Sequence, residues 1–154
     1  MAKYKKLLTP EYLKGADVSQ GRAVFQKNCA SCHTLFDAGG KVGPELTGSQ
    51  RANLDYVLEN VLDPSAVVPK EYQVTIVTTK DGRTINGIIK REDKRTVTLQ
   101  TPNDLVTIAV EDIDERHKSP LSLMPDGVLP NLKDEEVRDL IAYLRSPMQV
   151  PLPK

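Results

Sequence analysis

Cys29-Ala30-Ser31-Cys32-His33 holds both cysteines of this 154-residue chain and one of its two histidines. Two thiols three positions apart lie close to one helical turn apart, and an imidazole follows at once. Such a group can serve as a redox-active dithiol, as part of a zinc site, or as the attachment point of a c-type haem. A zinc site needs four ligands, and beyond these three the chain offers only His117 and carboxylates. A thioredoxin-like pair opens a helix after a strand. Here Val18, Gly21, Phe25 and Cys29 recur at helical spacing before the motif, so the motif closes a helix.

Haem attachment explains the order of the residues. Cys29 and Cys32 can each add to one of two adjacent vinyl groups on the porphyrin edge, and His33 then reaches the iron as the proximal ligand. The expected cofactor is one covalent haem c.

The rest of the chain adds few competing chemistries. Lys and Arg number 21, as do Asp and Glu, so no basic surplus points to nucleic acid or to a membrane surface. No apolar run approaches the roughly 18 residues a spanning helix needs. The opening Met1 to Pro10 is charged and lacks the apolar centre of a signal peptide. The chain is therefore expected to be a mature exported protein, periplasmic or otherwise, or an excised domain. Its length suits one domain, with or without a sizeable insertion.

Helical spacing predicts a first helix capped by Asp17 with Gln20 three residues on, a second over 51–62, and a last over 134–145. Asp63-Pro64 and Ser146-Pro147 stop the latter two. Between Glu71 and Val110 the period becomes two. "YQVTIVTT", "RTINGIIK", "RTVTLQ" and "LVTIAV" read as four strands joined by the turns Lys80-Asp81-Gly82-Arg83, "REDK" and "TPND". The connections are too short for parallel crossovers, so a four-stranded antiparallel meander is expected. Its apolar face would comprise Tyr72, Val74, Ile76, Ile85, Ile89, Val97 and Leu99. The expected organisation is a leader over 1–16, a haem domain over 17–70 and 111–146, an inserted sheet over 71–110, and an extended tail over 147–154.

Gly21 and Phe25 before "CASCH", then "VGPELTG", "LMP" and "DEEVRDLIAYL", resemble a class I c-type cytochrome. "NVLDPSAVV", "TKDGRTINGII", "SLMPDG" and "YLRSPMQVPLP" resemble more closely the haem-binding domain found at the C-terminus of large planctomycete and verrucomicrobial proteins. The likeness runs from about Asp17 to Pro153. It implies a mainly α, cytochrome c fold with the sheet as an insertion, its first and last helices crossing where Gly21 permits close contact. It also implies that Gly43-Pro44 packs on the His33 imidazole and offers it a carbonyl.

The resemblance further implies a distal methionine. Met124, in the proline-flanked loop "SPLSLMPDG", fits once the strand segment is set aside as an insertion; His117 sits among charges and Met148 in the tail. Ligation by His33 and Met124 would leave no open position on the iron, so one-electron transfer is the expected work, without catalysis of its own. The expected partner is a redox protein or a fused dehydrogenase domain. A haem gas sensor or haem enzyme with a labile Met124 is the alternative, and a haem-free thiol redox protein a third.

Overall fold

The computed structural model describes residues 1–154. Met1–Asp63 with Asp126–Lys154 form one compact unit, and Pro64–Pro125 a second.

In the first unit, α1 (Ala2–Leu7) and α2 (Pro10–Lys14) occupy the segment expected to be a leader. Thr9 caps α2, its hydroxyl accepting the Tyr12 N–H at 3.2 Å, and Pro10 sits where a missing N–H costs nothing. Tyr4 and Leu8 are buried in the core. The next helix, α3 (Val18–Asn28), begins at Asp17, whose carboxylate accepts from the backbone N–H groups of Ser19 and Gln20. A small hairpin follows, β1 (Thr34–Leu35) with β2 (Ala38–Gly39).

Helix α4 (Leu54–Leu62) starts three residues later than its periodicity suggests, because Asn53 supplies the cap to the Tyr56 N–H. Arg51 lies outside it. Helix α5 (Asp134–Leu144) opens with three acids, favourable to the helix dipole, and the Lys133 N–H donates to the Glu136 carboxylate. The core gathers Phe25, Leu35, Leu58, Leu129, Val137, Leu140, Ile141 and Tyr143.

Helices α3 and α5 meet at Gly21, where a Cβ would stand 2.0 Å from the Asp139 carbonyl oxygen. The Asp17 N–H also donates to the Asp139 carboxylate, joining the start of α3 to the middle of α5. The tail is fastened to the unit as it runs along it. Arg22 donates to the Val150 carbonyl at 2.6 Å, and the Tyr143 hydroxyl to the Gln149 side chain at 2.7 Å.

The second unit is an antiparallel sheet of β3 (Val74–Thr79), β4 (Thr84–Glu92), β5 (Thr96–Gln100), β6 (Leu105–Ala109) and β7 (Ile113–Lys118). Its order is β6-β5-β4-β3-β7. The three turns read from the sequence join β3 to β6 in succession, with Gly82 at φ 88°. A fifth strand then returns to the far edge and pairs with β3.

This corrects the expected fold class. The chain is 33% helix and 23% strand with a five-stranded sheet, so it is neither mainly α nor decorated by a four-stranded meander. The missed strand reads Ile113-Asp-Glu-Arg-His-Lys118 and is almost wholly exposed. An edge strand pairs on one side only and tolerates charge, so it lacks the apolar alternation that marks its neighbours. The apolar face is also redrawn. Val77, Val97, Leu99 and Ile108 form its buried centre, flanked by Ile85, Ile89, Val106 and Ile113. Val77 pairs with Ile85, whereas Val74 and Ile76 have the opposite parity on β3 and point to the other face.

Candidate functional site

The paired cysteines lie where α3 ends. Cys29 is its C-cap, with its N–H donated to the Phe25 carbonyl at 2.7 Å. The chain then makes one further turn, in which the Cys29 carbonyl accepts the N–H groups of Cys32 and His33 at 3.1 and 2.9 Å. Both cysteines are free and half-buried. Burial, with Cys32 adding its own repulsion, pushes the Cys29 thiol up to about 12. A reactive cysteine works as its thiolate, and burial opposes that form at Cys29. No three His, Cys, Asp or Glu side chains converge in a way that could hold a metal ion.

His33 is oriented by a segment eleven residues away. Its Nδ1 lies 2.8 Å from the Pro44 carbonyl oxygen. A carbonyl can only accept, so Nδ1 carries the proton, and in the neutral ring Nε2 keeps the lone pair. Gly43 lies against the same ring. A Cβ there would stand 2.7 Å from Cε1 and 3.1 Å from Nδ1, so the backbone approaches the imidazole in a way that only glycine allows. The donor set fits a covalently attached haem: two sulfurs one turn apart, then an imidazole with its tautomer fixed and its Nε2 left to ligate iron.

The hairpin after His33 is strained. Phe36 and Asp37 both have positive φ, 51° and 64°, in a two-residue turn that Asn and Gly normally fill. Such backbone costs on the order of 1–3 kcal/mol per residue and persists where surroundings enforce it. Here the Phe36 N–H donates to the Thr47 hydroxyl at 2.8 Å, and the Phe36 ring meets Tyr143 edge-on with centroids 6.2 Å apart. The Arg51 guanidinium stacks on Phe36 at 4.8 Å. Tyr143 also meets Phe25 edge-on at 5.6 Å. Phe36, Thr47, Arg51 and Tyr143 have no place in a reading of motifs, because they meet only after the chain has folded.

The structure therefore brings together Cys29, Cys32, His33, Gly43 and Pro44 in the first unit. Met124 belongs to the second unit, where it is half-buried. There its N–H donates to the Ser122 hydroxyl at 3.1 Å, and the Ser122 N–H donates to the Ser65 hydroxyl at 3.0 Å. His117 is exposed on β7, and Met148 is exposed in the tail. No helix is long and apolar enough to cross a membrane.

The family model described as Cytochrome c matches residues 18–147. A cytochrome c-553-like protein of Synechocystis sp. is 47% identical over 51 residues, which are 32% of this chain and 47% of that protein. The chain thus spans about half the length of the curated relative it matches. A crystal structure of the pleiotropic translational regulator Hfq aligns with a TM-score of 0.29 and 22% identity, covering 41% of this chain and 85% of that one. A likeness that weak carries no argument.

Proposed function

The chain belongs to the cytochrome c family, which binds haem c covalently, and on that premise we propose that it transfers single electrons with His33 and Met124 as the axial ligands. The observation that carries the reading is the His33 Nδ1–H donated to the Pro44 carbonyl, directly after a cysteine pair at the end of a helix.

When bound, the haem supplies the one-electron couple of its iron. Cys29 and Cys32 tether it, and His33 presents Nε2. Pro44 holds the opposite ring nitrogen, fixing the imidazole plane and raising its basicity, while Gly43 leaves room for that arrangement. Met124 would give the other axial position a thioether, which favours a higher potential than a second imidazole would. With both positions held by His33 and Met124, no substrate would reach the metal, and the chain would work as a carrier.

The partner is a redox protein or a fused dehydrogenase domain, as in the planctomycete and verrucomicrobial-type domain whose motifs this chain resembles. Members of the family are typically exported, and the periplasm is the proposed location. The test is an absorption spectrum of the purified protein with denaturing mass spectrometry, followed by exposure of the reduced protein to carbon monoxide. One covalently retained haem that binds carbon monoxide poorly near neutral pH supports the carrier. Ready binding replaces it with a sensor or haem enzyme, and ordered colourless protein removes haem from the reading.

A further inference from the structure

The His33 imidazole is held at Nδ1 by one carbonyl, so its setting is only as firm as the segment that carries Pro44. That segment is tied back on the hairpin following His33. The Leu46 N–H donates to the Thr34 carbonyl at 2.8 Å, and the Thr47 hydroxyl accepts the Phe36 N–H. The Glu45 carboxylate accepts the Thr47 N–H at 3.0 Å and also its hydroxyl.

One side chain joins this closed loop to the rigid part of the unit. Arg51 donates through Nε to the Thr47 carbonyl at 3.0 Å. Through Nη1 it reaches the carbonyls of Leu144 and Ser146 at 2.5 and 2.8 Å, at the C-terminal end of α5. Its guanidinium carbon lies 4.8 Å from the ring centroid of Phe36, the strained turn residue. A guanidinium can donate from several edges while stacking by its face, and an ammonium cannot. The α5 end gains partners for carbonyls that a helix terminus leaves open, so the anchorage is favourable at both ends.

We infer that Arg51 is a positioning residue for the axial histidine: by fastening the Thr47 backbone and the Phe36 ring to the end of α5, it fixes the Pro44 carbonyl against Nδ1 of His33 and thereby holds down the potential of the iron. A firmly accepted Nδ1–H makes the imidazole a stronger donor, which favours the oxidised metal. Loosening the carbonyl raises the potential. The inference rests on the haem reading above.

The test uses purified holoprotein with two readouts, the midpoint potential and the hydrogen-exchange rate of the His33 Nδ1–H in the reduced state by NMR. Arg51→Gln is expected to raise the potential and speed exchange with haem content unchanged, and Arg51→Lys to recover only part of the shift. Thr47→Val, which removes the acceptor for the Phe36 N–H, should shift both readouts in the same direction, and Thr47→Ser should restore them. Arg138→Gln is the control. It breaks the contacts of Arg138 with Asp139 and the Tyr12 ring, away from this loop, and should lower stability without moving either readout.

Wild-type potential and exchange in both Arg51→Gln and Thr47→Val would overturn the inference, as would an equal shift in Arg138→Gln. If Arg51→Gln fails to retain haem, the Thr47 pair decides. A wild-type protein without covalent haem overturns the functional reading itself, whereas a haem protein whose variants show no shift overturns this inference alone.

Discussion

Gly21 lies so close to Asp139 that a side-chain carbon on the glycine would stand 2.0 Å from the Asp139 carbonyl oxygen and 2.7 Å from the Tyr143 Cβ. The obstacle is backbone on one side and a fully buried aromatic residue on the other, so no flexible tip can move aside. Gly21→Ala must push α3 away from α5. The expected loss of stability is about 1–3 kcal/mol, the usual range for overpacking, and larger for Gly21→Val. Denaturant unfolding of the holoprotein measures it, and an unchanged midpoint would contradict the crossing.

Gly43→Ala applies the same steric test at the imidazole, where the added carbon would stand 2.7 Å from Cε1 of His33. The ring must rotate or the Pro44 segment retreat, and either lengthens the Nδ1 hydrogen bond. Lower haem incorporation with faster Nδ1–H exchange is expected. Global stability should change less than in Gly21→Ala, because the crossing of α3 and α5 is untouched.

Acid should weaken the fold through carboxylates that close turns. Asp93 is held below the usual carboxylate range by the backbone N–H groups of Arg95 and Thr96, Asp81 by the Thr79 hydroxyl and then Arg83, and Glu45 by the Thr47 hydroxyl. A folded pKa below the unfolded one means stability that is present above the unfolded pKa, near 4, and lost as pH falls through the folded value. Asp93→Asn keeps an acceptor for both N–H groups without titrating. Its melting temperature should therefore fall less than the wild type's between pH 5 and pH 2, by scanning calorimetry, and parallel curves would reject the assignment.

What was legible in the sequence was local. Asp17 marks the start of α3, Asp81-Gly82 makes the β3–β4 turn, and the acids at Asp134 to Glu136 mark α5, because each signal and its structural partner lie within a few residues. The CASCH spacing was legible for the same reason. Strand β7 was hidden because Asp114, Glu115, Arg116, His117 and Lys118 are exposed at an edge, and its place is set by pairing with β3 some forty positions earlier. The turn at Phe36 and Asp37 was hidden because Asp tolerates positive φ but the bulky Phe36 does not favour it, and distant groups impose it. Arg51 reads as the first residue of the second expected helix until the fold leaves it outside that helix and brings the end of α5 to it.

The extent of the sheet changes how its removal should be tested. Replacing Glu71 to Val110 by a flexible linker would leave β7 without β3, exposing an unpaired charged strand. Replacing Val74 to Lys118 removes all five strands and leaves Ser122 and Met124 in place. If the sheet is an insertion, the second variant should still incorporate haem and keep its methionine signature, and the first should be the less soluble of the two. Loss of haem from the second variant would show that the sheet is needed to complete the cofactor's surroundings.

Met124 decides between carrier and catalyst. If Met124 is the second ligand, the wild-type protein should show the weak red absorption of a methionine sulfur on oxidised haem iron, and Met124→Ala should abolish it. The same variant should bind carbon monoxide readily in the reduced state, because the position the thioether filled is open. His33→Ala should be far more damaging, since it removes the proposed proximal ligand together with the partner of the Pro44 carbonyl. His117→Ala is the discriminating control: exposed on the edge strand, it should leave the spectrum unchanged. If His117→Ala altered the axial signature while Met124→Ala did not, the second ligand would be histidine and the potential correspondingly lower. If the wild type bound carbon monoxide as readily as Met124→Ala does, the iron would have an open position, and electron transfer would give way to gas binding or catalysis.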